Sequence, residues 1–501
     1  MPPKLRKMRY LLNLLLIVTM LFTLQSCNSN TNSVVYNIEI TDRVICAMDS
    51  TTLEIEYTLE CEDPVRVDAS TDAEWISSID TSSRGVIVIT VAQNDGETRN
   101  ADITLRASGY HPASFRVTQY GAPPAVATHT LMYFFCGTSL SRYFRTNLED
   151  ATLAIKRGIL GNSNRVIFFR QVNTSVAYIG ELCYDLSTGE CYEHKLEENI
   201  VVGGKQLSAE DIGTYIRKMS EYAPAHRYGI VMAGHGRGWI PRDGDNTAST
   251  FSTFGAESYA PWIPAPGAEV TRFFGESNAR VNISEIAEGI EKSDVMLDYI
   301  IFDACFMANI ESVYELRNSA NYIIASPCEI MGRGFPYERT LPYLFEDDGY
   351  TTNYDMAAES YYLYYRDEYI GSARSGSIAL FDCSQLDALA KATANVMKSA
   401  KSDYDKSKLQ SYEGQKPHLF YDFGEWVNVV ATDSEALNHF NEVLAKCVIS
   451  KYTLPEFYSA FGTYGTYPIN EEVYSGVTTS APSDAYPTLW QTTNWYKEVF
   501  E

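Results

Sequence analysis

Two residues of the chain have the chemistry of a nucleophile and its proton-transfer partner, and each follows a short apolar run. Tyr228 to Ala233 leads into Gly234, His235, Gly236, Arg237, Gly238 and Trp239, which sets an imidazole at a strand end between glycines that admit close backbone approach. Tyr299 to Phe302 leads into Asp303, Ala304 and Cys305, with a helical pattern expected from Met307. A cysteine facing a helix N-terminus has a reason for a lowered pKa, because the helix dipole and free N–H groups favour the thiolate. An imidazole beside it completes a thiolate–imidazolium pair, the nucleophile and acid/base that acyl transfer requires. Strand side chains repeat on one face every second residue, so Asp303 and Cys305 are expected to point the same way. A carboxylate there either binds a basic side chain of a substrate or orients His235. The N–H groups of Gly236 and Cys305 are candidate donors to a developing oxyanion. Taken alone, a strand-end cysteine is more often a small buried hydrophobe, so the combination carries the reading.

These residues need a sheet to hold them, because in open α/β sheets ligands bind beyond the carboxyl ends of the strands. Leu131 to Phe135, Val166 to Phe169, Tyr228 to Ala233, Tyr299 to Phe302, Tyr322 to Ala325 and Ile378 to Phe381 are short apolar runs of the kind buried on both faces. Helical patterns lie between them at Asn147 to Ile159, Ala209 to Tyr222 behind the cap pair Ser208 and Asp211, Ser284 to Ser293, and Met307 to Ala320. The expectation is an α/β domain with a largely parallel sheet covered by helices on both faces. Residues 240 to 283, rich in Pro, Gly, Ser and Thr, read as a long loop. Tyr361, Tyr362, Tyr364 and Tyr365 fall on a helix and read as packing. The tail with Trp426, Trp490 and Trp495 is expected to pack on the sheet domain.

Before Ala122, Pro123, Pro124 and Ala125 the rhythm is different. From Val34 to Gly121 short alternating runs such as Thr52 to Tyr57 and Val86 to Val91 describe an all-β domain of sandwich size. Ahead of it, Lys4, Arg6, Lys7 and Arg9 precede an apolar run from Leu11 to Phe22, the pattern of an export signal. Forty Lys plus Arg against 64 Asp plus Glu give a net charge of −24, which argues against a nucleic-acid partner. Ten cysteines are scattered without framework spacing, so a disulfide scaffold is not expected. Cys183 and Cys191 flank a hairpin with His194 nearby, but the spacing is no zinc pattern, so no metal site and no cofactor are identified, and calcium dependence stays open.

Three resemblances follow. Leu24, Gln25, Ser26 and Cys27 resemble a bacterial lipobox, which implies a signal peptide over 1–27, lipid attachment at Cys27, a tether over 28–33 and an exported protein anchored in the cell envelope, the outer membrane being the expected location. Trp75, Ile76, Asn94, Thr98, Arg99, Ala101, Ile103 and Val117 to Gln119 resemble the immunoglobulin-like BACON domain over 34–121, for which a spacer role is weighed above glycan binding. Gly-His-Gly-x-Gly-Trp at 234–239 and Asp-Ala-Cys-x-Met at 303–307 with Glu311 resemble clostripain-type cysteine peptidases of the caspase and gingipain clan. The likeness continues through Tyr314 to Leu316, Ala325 and Ser326, Gly334 to Tyr337, Tyr474 to Gly476, Pro482, Trp495 and Tyr496, and so spans residues 128–501.

The peptidase resemblance implies a caspase-like fold, His235 and Cys305 as a catalytic dyad, and Asp303 in a pocket for Arg or Lys of a protein or peptide substrate. Arg237 stands where the family usually has a small residue, a cation expected either to compete for Asp303 or to stabilise the thiolate. The family's acidic residue directly after the serine matched by Ser326 is displaced here to Glu329 by Pro327 and Cys328. The resemblance implies that activation can occur by a cut in the loop between the His and the Cys, where after Arg237 the basic residues are Arg242, Arg272 and Arg280. The competing reading is a cell-surface binding lipoprotein with an inactive peptidase fold and a glycan-recognising sandwich.

Overall fold

The computed structural model describes residues 35–60, 65–186, 188–202, 207–241, 269–272, 281–345 and 353–501. The expected leader with Cys27, the tether, Arg242 and Arg280 lie outside the described residues.

The described residues form two compact units, one built from those through Val44 with those of 51–92 and Asn100–Val117, the other from the rest of the described residues. Eight strands make the N-terminal β-sandwich region: β1 (Ile38–Ile40), β2 (Arg43–Cys46), β3 (Thr52–Leu59), β4 (Val67–Ser70), β5 (Ile76–Asp80), β6 (Val86–Val91), β7 (Arg99–Ala107) and β8 (Ala113–Gln119). They form two four-stranded sheets in the orders β1-β3-β6-β5 and β2-β8-β7-β4. On β6 every second residue, Ile87, Ile89 and Val91, is fully covered, so the period-2 pattern of the sequence becomes one buried face. Trp75 is half-buried rather than enclosed.

The second unit is a nine-stranded sheet. Its strands are β9 (Ala127–Phe135), β10 (Asn164–Gln171), β11 (Val176–Asp185), β12 (Glu190–Val201), β13 (Ala225–Ala233), β14 (Leu297–Asp303), β15 (Ala320–Ala325), β16 (Ile378–Asp382) and, after the two-residue β17 (Tyr421–Asp422), β18 (Val448–Tyr452). The order is β12-β11-β10-β9-β13-β14-β15-β16-β18. The five central strands run parallel and the two at each edge are antiparallel. All six apolar runs of the sequence lie inside these strands. Alternation on β9 sends Leu131, Tyr133 and Phe135 into one core and Met132 and Phe134 into the other. Helices Ser141–Lys156, Tyr337–Phe345 and Tyr354–Glu368 cover the first face; Ala209–Tyr222, Ile283–Ser293, Leu386–Met397 and Ser434–Cys447 cover the second.

Ser208 and Asp211 cap the helix Ala209–Tyr222 reciprocally, as their spacing predicts. That helix lies so close to Ile283–Ser293 that a Cβ on Gly213 would sit 2.9 Å from the carbonyl oxygen of Gly289. The helix expected over Met307 to Ala320 is corrected to Ile310–Glu315. Phe306 adopts φ 61°, its N–H donates to the Cys328 carbonyl, and the Ala308 N–H donates to that of Ser326. Those amides are drawn across to the neighbouring loop, so the helix starts only after them.

The C-terminal segment contributes β19 (Glu456–Ser459), β20 (Gly465–Pro468) and β21 (Thr478–Thr479), the last paired with β17. It is laced to both loops of interest. Trp239 Nε1–H donates to Ser480 Oγ at 2.8 Å, the Thr478 N–H donates to the Ala308 carbonyl, and Glu311 accepts from Thr479, Ser480 and Trp490. Trp495 is fully buried and Trp426 nearly so, as expected of a packed tail. At the centre of the sheet, Gly229 faces the Tyr299 ring so closely that a Cβ would lie 2.0 Å from it. Gly229→Ala is therefore expected to cost about 1–3 kcal/mol through overpacking. A denaturation midpoint for the second unit equal to that of the unaltered protein would refute this packing.

Candidate active site

Strands β13 and β14 run parallel with Ala233 opposite Asp303, so His235 and Cys305, each two residues further on, leave the sheet at neighbouring strand ends. The Gly236 backbone lies against that of Cys305: a Cβ on Gly236 would be 2.3 Å from the Cys305 carbonyl oxygen and 2.8 Å from its nitrogen. Only glycine permits this approach. Asp303 and Cys305 point toward the same core, as strand parity predicts, while Ala304 belongs to the opposite one. The His235 ring meets Ser139, Nε2 to Oγ 2.7 Å, on the turn between β9 and the helix Ser141–Lys156.

The thiolate expected at Cys305 is not the state of this conformation. Cys305 is wholly buried; its sulfur accepts the Ile330 N–H at 3.1 Å and lies 3.6 Å from the Ile330 carbonyl. Burial holds the thiol well above its ordinary pKa, the Glu329 carboxylate adds to the rise, and the Ile330 N–H and Arg272 oppose it. The helix dipole invoked from sequence has little to act with, because the helix begins five residues later and has six residues.

Val270, Thr271 and Arg272 occupy the space beside these residues as an added strand. The Gly332 N–H donates to the Val270 carbonyl and the Arg272 N–H to that of Ile330, both at 2.6 Å, with Thr271 bridged antiparallel to Met331. The Gly236 N–H donates to the Arg272 carbonyl at 3.0 Å. A peptide carbonyl thus sits on one of the two donors assigned from sequence to an oxyanion.

The Arg272 side chain has no exposed surface. Its Nη1 lies 3.0 Å from Asp303 Oδ2, and its Nη2 donates to Asn147 Oδ1 at 2.7 Å and to the Arg333 carbonyl at 3.3 Å. The guanidinium also stands 5.8 Å from the Phe144 ring centre. Asp303 accepts from the Tyr337 hydroxyl at 2.6 Å and from the Phe335 N–H. Burial pushes the Asp303 carboxyl up, while Arg272, Tyr337 and the Phe335 N–H push it down. A guanidinium does not deprotonate, so the partner facing this carboxyl is a permanent cation. Gly334, at φ 72°, leaves room for the cation, because a Cβ there would lie 2.2 Å from Nη2. Its carbonyl accepts from Tyr365, one of the packing tyrosines. The cation on Asp303 is therefore Arg272, where the sequence had suggested Arg237 as competitor.

Glu329 is buried beside Thr271. One carboxylate oxygen accepts from Ser459 Oγ at 2.6 Å and from the N–H groups of Ala460 and Phe461; the other accepts from Thr271 Oγ1 at 2.5 Å. The roles of Ser139, Asn147, Tyr337 and Glu329 escaped the sequence reading. These residues lie on four separate segments, and only the fold brings them to the strand ends.

Among the described residues, Glu181, Cys183 and His194 are the one trio whose ligand atoms approach closely enough for a shared ion. Arg165 holds both Glu181 oxygens at 2.6 and 2.7 Å, so that carboxylate is already engaged. In the hairpin Cys183 faces Tyr192 and Cys191 faces Tyr184, and all eight described cysteines are free thiols.

With this geometry in view, comparison with known proteins gives a consistent result. The sequence pattern of the clostripain family matches residues 269–475. A crystal structure of iotapain, a secreted C11 cysteine protease of Bacteroides thetaiotaomicron, is 28% identical, covers 75% of this chain and 100% of its own, and superposes with a TM-score of 0.64. An inactive zymogen C11 protease of Parabacteroides distasonis is 27% identical over 75% of this chain and 99% of its own, TM-score 0.61. A secreted C11 cysteine protease of Bacteroides thetaiotaomicron in complex with an irreversible peptide inhibitor is 24% identical with the same coverage and TM-score. No curated protein matches the chain. Residues 269–475 thus match the clostripain family, and the chain has the fold of the C11 cysteine proteases.

Burial raises the Glu329 carboxyl from 4.5 to about 7, so the folded protein keeps a proton that the unfolded chain releases at lower pH. The stability gained from the neutral form is complete below about pH 4.5 and declines as pH rises through 7. Glu329→Gln is expected to flatten that decline in thermal-melt series, leaving a smaller slope from Asp422, which burial raises to about 6. Identical slopes in the two proteins would contradict the assignment.

Proposed function

We propose that the protein is an exported cysteine endopeptidase that cleaves after Arg or Lys with the dyad Cys305 and His235. The observation that carries the reading is Arg272: its side chain is on Asp303 and its carbonyl is on the Gly236 N–H. An extended backbone, a basic side chain on a buried carboxylate and a carbonyl on a glycine amide are what a peptide presents to a peptidase cleft.

In the mechanism, Cys305 sulfur gives up its proton to His235 and attacks the carbonyl carbon that follows the basic side chain. The carbonyl electrons move to oxygen, which the N–H groups of Gly236 and Cys305 stabilise. Collapse breaks the C–N bond as the His235 imidazolium protonates the departing amine. Water then attacks the thioester, His235 accepts its proton, and breakdown of the second tetrahedral species restores the thiol and frees the carboxylic acid. Asp303 supplies the charge that fixes the basic side chain, and Asn147 and the Arg333 carbonyl take up the second nitrogen of an arginine.

The buried thiol belongs to a latent form in this reading. One similar protein is described as an inactive zymogen, and here the chain's own residues 270–272 fill the cleft. Of the three arginines weighed from sequence, Arg272 is the favoured site of a self-cut, between Arg272 and Phe273. Anchoring through lipid at Cys27 and a spacer role for the BACON-like sandwich complete the proposal, and two of the similar proteins are described as secreted. The rival, an inactive fold used for binding, draws on the same buried thiol.

A fluorogenic peptide with Arg before the reporter is expected to be turned over by the protein and to lose at least about a thousandfold in kcat/KM with Cys305→Ala. Equal or absent turnover in both would leave the rival. For the self-cut, intact-mass analysis is expected to find a new N-terminus at Phe273 in active protein and an uncut chain in Arg272→Ala. Active protein with an unbroken chain would end that part of the proposal.

A further inference from the structure

We infer that Glu329 is the specificity-determining residue for the second position before the cut, where it selects a hydroxyl-bearing side chain, threonine or serine. The inference rests on the reading that Val270–Arg272 lies in the cleft as a substrate does, which makes Thr271 the residue at that position.

The two carboxylate oxygens of Glu329 have separate tasks. One is bound into the protein by Ser459 Oγ and by the N–H groups of Ala460 and Phe461, which fixes the plane of the group. The other is directed at the Thr271 hydroxyl, 2.5 Å away. Glu329 is 1% exposed, so this second oxygen has no bulk water to fall back on. A side chain of the same shape without a hydroxyl would leave it without a partner, and a buried polar oxygen left unsatisfied is costly. Asp303 and Asn147 read the residue at the cut, Arg272, and are not placed on Thr271. The residue before the cut and the one preceding it are thus read by two different acids, one at the end of β14 and one on the loop after β15.

The test uses the processed full-length protein and two fluorogenic peptides with arginine at the cut, differing only in threonine or valine before it. These two side chains have the same shape. The threonine peptide is expected to have a kcat/KM about tenfold or more above the valine peptide, and Glu329→Met, which fills the space without a polar oxygen, is expected to bring the ratio close to one. A merely structural role for Glu329 would lower both rates together and keep the ratio, which would overturn the inference. So would equal rates in the unaltered protein. A second readout does not depend on how the Glu329 variant folds: Thr271→Val is expected to slow the self-cut after Arg272 about tenfold, and Thr271→Ser to preserve it. Equal self-cutting in all three would count against Glu329 alone. Failure to cut after arginine in either peptide and in the chain itself would remove the peptidase reading, and the inference with it.

Discussion

Arg272 and Asp303 face each other with no solvent on either side chain, and the site takes its form from that constraint. Removing a guanidinium and a carboxylate from water costs several kcal/mol per ion, which the pair recovers only if further hydrogen bonds complete both groups. Asn147 and the Arg333 carbonyl serve the cation; the Tyr337 hydroxyl and the Phe335 N–H serve the anion. These partners come from the helix over β9 and from the loop after β15, so a single charge pair ties three regions of the sheet domain to the end of β14. The missing Cβ at Gly334 and the Tyr365 hydroxyl on its carbonyl are consequences of giving the cation room.

The parallel core and the strand ends were legible in the sequence because both depend on short-range patterns. Uninterrupted apolar runs marked β9, β10, β13, β14, β15 and β16, and the two-residue parity of a strand was enough to orient Asp303 with Cys305. The place of His235 at a strand end next to that of Cys305 followed from a general rule about strand ends, and Gly236 was legible as a place of backbone approach. What failed was local structure set by distant partners. Met307 to Asn309 have a helical composition, yet their chain is pulled toward Cys328 and Ser326, and no count of apolar spacing could register that pull. The charge state of Cys305 failed for a related reason: the dipole argument concerns one helix, whereas desolvation depends on everything that covers the sulfur. Asn147 and Glu329 carry no motif of their own. Their partners lie 125 and 58 positions away in the chain, so only the fold could expose their roles.

A second ring of constraint surrounds the first. The loops carrying His235 and Cys305 are held from behind by the C-terminal segment, through Trp239 on Ser480, Ala308 on Thr478, and the Glu311 carboxylate that gathers Thr479, Ser480 and Trp490. Glu311 is fully enclosed, and burial raises its carboxyl while those donors oppose the rise. Such a carboxylate demands its donors, so the segment from Thr478 to Trp490 is part of the scaffold that holds the two loops far earlier in the chain. This explains why a sheet domain with a compact five-stranded parallel centre needs so long a tail.

The added strand at Val270–Arg272 has one more consequence. Its carbonyls, amides and guanidinium all make their contacts on the side of the bond that precedes Phe273, so breaking that bond would disturb none of them. Hydrolysis would put a carboxylate where the carbonyl stood, on the same glycine amide, and the new terminus would remain a tethered product at high effective concentration. Scission and the onset of turnover would then be distinct in time, with the interval between them set by how fast that end dissociates.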